Sequence, residues 1–287
     1  MGSVWSEDAV SVYPLSQPMV GQEKFFNYFK NFVDTLDSAR MARIFPLIAD
    51  WGIGKSRIGF ELVSEVIGKD KGWIIRGEDN SSKEVRIFKD NFEDGILPIY
   101  ISYSDMNHED LAWDEWVAFG AYVALKGLVD VKKQNSGNRS FREKVANDLV
   151  DHLEPLGFST SKLEDILKID RYSEEELLDI ENQGVVDQII KEVYNYFNSL
   201  GIEHFMVVAD EVESETETNK LKASNEKIKK KLDGDAIQLI SHAIKHEDVR
   251  SKHPYVSFLL LCSPAIGDQF RGLGALDRRM DKCEIKR

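Results

Sequence analysis

Four short runs in this chain are almost wholly apolar: RIFPLIAD (Arg43–Asp50), ILPIYISY (Ile96–Tyr103), HFMVVADE (His204–Glu211) and YVSFLLLCSP (Tyr255–Pro264). None alternates apolar with polar residues, so none reads as a strand with one wet face. Each is short for a helix and is bounded by polar or turn residues. Such runs are strands buried on both faces, the pattern of a parallel sheet covered by helices. Helical spacing appears between them. Phe25, Phe29, Phe32, Val33 and Leu36 share one face, as do Ile58, Leu62, Val63 and Val66 before a stop at Gly68. Val186, Ile189, Ile190, Val193 and Phe197 share another before Gly201. Strands alternating with helices predict an α/β fold with a mostly parallel sheet, whose ligands sit at the carboxyl ends of the strands.

The remaining segments read less sharply. Residues 1–18, with Pro14 and Pro18, predict an extended arm, and residues 19–287 a single domain. Lys69–Gly95 is polar and predicts a loop or hairpin. Residues 109–200 are mostly helical by pattern, and the segment after Ser263 predicts a glycine-rich turn and a short fifth strand.

The first apolar run delivers the chain into ADWGIGKS, Ala49 to Ser56, and a helix follows. The phosphate-loop pattern G-x-x-x-x-G-K-[S/T] sits in this strand-to-helix setting. Gly54, Lys55 and Ser56 match it; Ala49 stands at the first glycine, and Gly52 inside the loop can supply backbone freedom instead. Backbone N–H groups from Asp50 through Trp51, Gly52, Ile53 and Gly54 to Arg57 would face phosphates at a helix start. Lys55 would meet the outer phosphates as a point charge, and the Ser56 hydroxyl would bind Mg²⁺. Trp51 either shields the nucleotide or packs under the loop.

HFMVVADE supplies the partner acids. A buried strand carries Asp210 and Glu211 to the same sheet edge, where Asp210 could hold Mg²⁺ through water and Glu211 could deprotonate the attacking water. The fourth run ends in Ser263, placed to touch the γ-phosphate or that water. Arg271, Arg278 and Arg279 are candidates to reach a neighbouring subunit's nucleotide.

MVGQEKFFNYFKNFV, GIGKS, VVADE, a polar-ended strand and LDRRM, in that order, resemble the AAA+ and STAND class of P-loop ATPases, nearest its origin-recognition-like and signalling branches. ATP-binding proteins of prokaryotic defence and DNA-processing systems look similar. The resemblance spans about residues 19–68 and 184–287. It implies ATP and Mg²⁺ as cofactors, base contact by Val20 and Gly21, a catalytic set of Lys55, Glu211, Ser263 and Arg279, and Mg²⁺ on Ser56 and Asp210. It implies hydrolysis driving conformational change in a homo-oligomer or with partner subunits, in DNA-linked work or antiviral defence. Ser56 and Asp210 stand further apart than in the family, which predicts a mainly helical insertion at about residues 105–180. The chain ends where the family's helical lid would begin, so the lid is expected to be absent. The alternative is a nucleotide-gated interaction module with negligible turnover. A small-molecule phosphotransferase is a third reading, without a motif for its substrate.

Charge narrows the partners. With 37 Lys and Arg against 50 Asp and Glu, the net charge of −13 argues against a surface that embraces nucleic acid throughout. The basic run Lys227–Lys231 keeps local contact open but reads more simply as a solvated helix face. Cys262 and Cys283 show no metal-ligand spacing or disulfide framework, which fits a reducing cytoplasm. No apolar stretch approaches the roughly 20 residues that span a bilayer, and the start shows no signal peptide. His242 and His246 have metal-ligand spacing without a third ligand nearby, and Trp113 and Trp116 read as core of the insertion.

Overall fold

The structure is a computed structural model that describes residues 19–20, 22–36, 42–50, 52–67, 73–76, 81–102, 121–122, 124–129, 141–167, 183–210, 252–264 and 283–285. The strands are β1 (Met19–Val20), β2 (Ile44–Ala49), β3 (Trp73–Arg76), β4 (Ser82–Val85), β5 (Ile96–Ser102), β6 (His204–Asp210), β7 (Val256–Cys262) and β8 (Cys283–Ile285). The helices are α1 (Glu23–Asp34), α2 (Lys55–Val66), α3 (Phe141–Leu153), α4 (Thr160–Leu167) and α5 (Gln183–Asn198).

The four apolar runs and the short strand near Cys283 form one sheet in the order β5-β6-β7-β2-β8, parallel throughout. Every residue of β6 and β7 is buried, which is why these runs lack alternation. Alternation instead sorts side chains between two helical layers. Tyr100, Val208 and Leu261 point to the face where α2 crosses; a Cβ on Gly59 would lie 2.9 Å from Val208, 3.1 Å from Tyr100 and 3.2 Å from Leu261. The missing side chain is what lets the helix axis approach the strands. Phe45 points to the same face and meets α1, with ring centroids 5.2 Å from both Phe29 and Phe32 in edge-to-face packing. Such pairs add about 0.5–1.5 kcal/mol each beyond area burial. On the opposite face Phe205 meets Phe197 of α5 at 5.3 Å, edge to face. Helices therefore cover both sides of the sheet, an α/β architecture as the alternation of runs predicted.

The helical faces follow the sequence spacing. Phe25, Phe29, Phe32 and Val33 are buried while Tyr28 between them is exposed. Ile58, Leu62, Val63 and Val66 are fully buried, as are Ile189, Ile190, Val193 and Phe197. Helix α2 is buried beyond that stripe, because α3 and the segment around residues 87–92 cover its outer side. Glu61 there pairs with Arg57 at 3.1 Å, and Glu65 Oε2 accepts from the N–H groups of Ile87 (3.0 Å) and Phe88 (2.9 Å), while Glu65 Oε1 has no partner among the described residues. Burial pushes the Glu65 carboxyl up to about 8, against the pull of those donors.

Helix α1 begins at Glu23, and Met19–Val20 ahead of it pairs with β3. The polar Lys69–Gly95 stretch contains the antiparallel pair β3–β4, in keeping with the hairpin alternative, and its pairing with β1 makes a second, three-stranded sheet that the sequence reading lacked. Trp73 anchors it, buried against Phe25 at 5.8 Å. The second apolar run forms β5 over Ile96–Ser102, and Tyr103 lies outside the described residues. Within the segment read as an insertion, Leu125, Leu128, Val145, Leu149, Leu153, Leu163 and Leu167 are buried in the same core as the sheet. The arm at 1–18, Gly68, Trp113, Trp116, Lys227–Lys231, His242 and His246 lie outside the described residues. No described helix is long and apolar enough to cross a membrane.

Candidate functional site at the carboxyl edge of the sheet

Strand order decides what meets at the sheet edge. Strand β7 lies between β2, which leads into the glycine-containing turn, and β6, which ends in Asp210. The three strands are parallel, so all three lead to one edge: Ala49 and Ser263 follow the paired Ile48 and Cys262, and Asp210 follows Ala209, which pairs with Leu260 two residues further back on β7. Two strand spacings, about 10 Å sideways, lie between β2 and β6.

The turn after β2 needs its glycines. Gly52 has φ 79° and Gly54 φ 93°, both left-handed, and Gly54 is the residue from which α2 starts. No side chain caps that helix start, and no acid lies in its first turn. A helix's first turn presents N–H groups that have no partner within the helix, and its dipole favours an anion there. Lys55 is buried at 9% exposure; its Nζ donates to the Ala49 carbonyl at 2.9 Å and to the Asp50 carbonyl at 3.4 Å. A cation is thus folded over the turn, at the end of β2. Ser56 and Arg57 are exposed, Asp50 and Ile53 half-buried.

Across the edge, Asp210 is 5% exposed, and its Oδ2 accepts a hydrogen bond from the Tyr100 hydroxyl at 2.5 Å. Tyr100 stands opposite Val208 in the β5–β6 register, so Asp210 is its diagonal neighbour on the same face, within reach of a long aromatic side chain. Phe60 of α2 stacks on the Tyr100 ring at 4.3 Å and 28°. Between the two outer strands, Ser263 is 1% exposed, and its Oγ has no hydrogen-bond partner among the described residues. A buried hydroxyl without a partner costs about 1–3 kcal/mol, so it is an unusual thing to leave at a sheet edge without a use.

The edge therefore gathers Lys55, Ser263 and Asp210, with Ser56 one residue into the helix. Glu211, Gly21, Trp51, Arg271, Arg278 and Arg279 lie outside the described residues; Val20 lies in β1, whose backbone pairs with β3. Among the described residues no group of three or more His, Cys, Asp or Glu side chains is placed to hold a metal ion. A site that binds Mg²⁺ together with phosphates does not need such a group, since Mg²⁺ keeps waters and takes one or two carboxylates.

Two site residues escape a sequence reading. Tyr100 reads as core in ILPIYISY, although its polar tip within an apolar run is a signal that it reaches a partner. Gly59 reads as a tolerated glycine inside a helix, and only the crossing of α2 over the sheet explains it.

A second polar cluster sits at the opposite end of the sheet. His253 Nε2 lies 2.9 Å from Asp187 Oδ1, and Lys252 pairs with the same carboxylate. Burial would raise the Asp187 pKa, but these two partners hold it below the usual carboxylate range. His204 is buried against Ser257, with Nε2 2.9 Å from Oγ, and burial pulls its pKa down to about 4. The Ser257 Oγ also accepts from the Arg43 N–H at 3.1 Å. These bonds close the amino ends of β2, β6 and β7 and read as structure.

Comparison of the chain with protein-family models, with curated proteins and with solved structures finds no match.

Proposed function

We propose that this chain is an AAA+-like P-loop ATPase that binds Mg·ATP at the carboxyl edge of its sheet and hydrolyses it. The observation that carries this reading is the meeting of Lys55, at the start of the helix after β2, with Ser263 and Asp210 at the carboxyl ends of the adjacent parallel strands β7 and β6. Both left-handed glycines, the cation and a buried hydroxyl without a partner among the described residues suit a polyphosphate.

Each residue has a role in that reading. Lys55 exchanges its backbone carbonyl partners for β- and γ-phosphate oxygens. The first-turn N–H groups of α2 hold the phosphates. Ser56 and Asp210 bind the Mg²⁺ of the substrate, which places positive charge on the oxygens where negative charge develops. Ser263 donates to the γ-phosphate or orients the attacking water. Glu211, next after Asp210 in the chain, takes the proton from that water. Arg279 reaches a neighbouring subunit's nucleotide, and turnover drives conformational change in a homo-oligomer or partner assembly, in DNA-linked work or defence.

The test is Mg·ATP turnover per subunit across a range of protein concentrations, with Lys55→Ala as control. Turnover that rises with concentration and is lost in the variant supports a shared-site ATPase. Nucleotide binding without turnover above the variant leaves the nucleotide-gated module in its place. Equal nucleotide binding by both proteins removes the site altogether.

A further inference from the structure

We infer that Tyr100 is a positioning residue for the metal-binding carboxylate, holding Asp210 in the orientation that receives Mg·ATP. The inference rests on the reading of the site proposed above.

Three observations carry it. The Tyr100 hydroxyl donates to Asp210 Oδ2 from the adjacent strand. The ring making that bond is fixed on one side by Phe60, stacked at 4.3 Å. Gly59 leaves the space the ring occupies beside the helix, since a Cβ there would lie 3.1 Å from it. Phe60 and Gly59 belong to α2, the helix that begins at the phosphate turn. The element that carries Lys55 and Ser56 therefore also sets the residue that aims Asp210.

The chemistry of the donor matters. Lysine or arginine in this place would neutralise the carboxylate and compete with a cation. A phenol is neutral at physiological pH, so it restricts the carboxylate's rotation while leaving its negative charge for Mg²⁺. Groups that orient a metal ligand in this way typically carry 10–100-fold of metal affinity.

The test is Tyr100→Phe, which removes the hydroxyl and keeps the stacked ring. A fluorescent ATP analogue is titrated at increasing Mg²⁺ and, separately, in EDTA; thermal unfolding is followed in EDTA. The expected result is a rise of about tenfold in the Mg²⁺ concentration at half-maximal binding, with affinity in EDTA unchanged. Phe60→Leu, which frees the ring without touching the hydroxyl, should move the Mg²⁺ midpoint in the same direction by less. It also serves as the test should Tyr100→Phe not fold. A lower unfolding temperature with an unmoved Mg²⁺ midpoint would make Tyr100 structural only and overturn the inference. If the unmodified protein shows no gain in nucleotide binding from Mg²⁺, the ATPase reading falls and the inference with it.

Discussion

Substituting Gly59 sets two effects of known size against each other. Alanine in a helix interior is favoured over glycine by about 1 kcal/mol. At Gly59 the added Cβ would lie 2.9 Å from Val208 Cγ1, closer than such carbons pack. Relief is difficult: Val208 is β-branched, fully buried and paired on both sides, to Tyr100 and Leu259. The next neighbours, on Tyr100 and Leu261, belong to the strands on either side, so the helix has to lift off three strands together. Overpacking of this kind costs about 1–3 kcal/mol, and an immovable wall places this case at the upper end. Net destabilisation of about 1–2 kcal/mol follows, a fall of roughly 2–3 °C in Tm for a chain of this size. Gly127 supplies the control. It lies in the helical residues 124–129, is exposed, and a Cβ there would have nothing within 4 Å among the described residues. Gly127→Ala should therefore gain up to about 1 kcal/mol. Urea unfolding of both variants beside the unmodified protein measures the difference. If Gly59→Ala matches Gly127→Ala, α2 does not approach the sheet as closely as described, and the account of Tyr100's restraint fails too.

Two further outcomes follow from buried polar groups. Glu65 holds its proton in the folded protein up to about pH 8, whereas its ordinary value is 4.5, so the folded state binds more protons in that window and loses stability as pH rises through it. Glu65→Gln should remove that slope, with stability near that of the unmodified protein at pH 5 and greater at pH 8; urea unfolding across this range checks it, and parallel profiles would count against a buried neutral acid. His204 adds the opposite slope, since its depressed pKa makes stability rise between about pH 4 and 6.5, so Glu65's effect should stand out in the unmodified protein only above pH 6.5. Ser263→Ala should leave stability unchanged or raise it by up to about 1 kcal/mol, because no described group partners the hydroxyl, while ATP turnover falls. A clear loss of stability in that variant would show that the hydroxyl serves the fold.

The large sheet is legible in the sequence because a strand buried on both faces leaves an unbroken apolar run, and β2, β5, β6 and β7 all do so. The faces of α1, α2 and α5 are legible for a related reason, their periodicity being set by one core. The small sheet is legible only as far as the hairpin alternative for Lys69–Gly95, because β1 is a two-residue strand that exists through pairing with β3 rather than through pattern. At the candidate site, Lys55, Ser56, Asp210 and Ser263 stand out as residue types at the ends of elements. Their neighbourhood does not, since it depends on β7 lying between β2 and β6. The hydrogen bond from Tyr100 requires the β5–β6 register as well, which no local spacing encodes.

That strand order also bears on how the chain folds. Before β7 is added, β2 has no partner on the β6 side, and β5 and β6 can pair only with each other. The sheet therefore stays in two pieces until residues 256–262 insert between strands formed from chain about 200 and 50 residues earlier, a non-local pairing exceeded only by that of β2 with β8. Lys55 and Asp210 become neighbours at that moment and not before. During synthesis, the open edges of β2 and β6 are exposed apolar strands waiting for one late segment, which is where a chaperone would bind and where premature edge-to-edge association would begin.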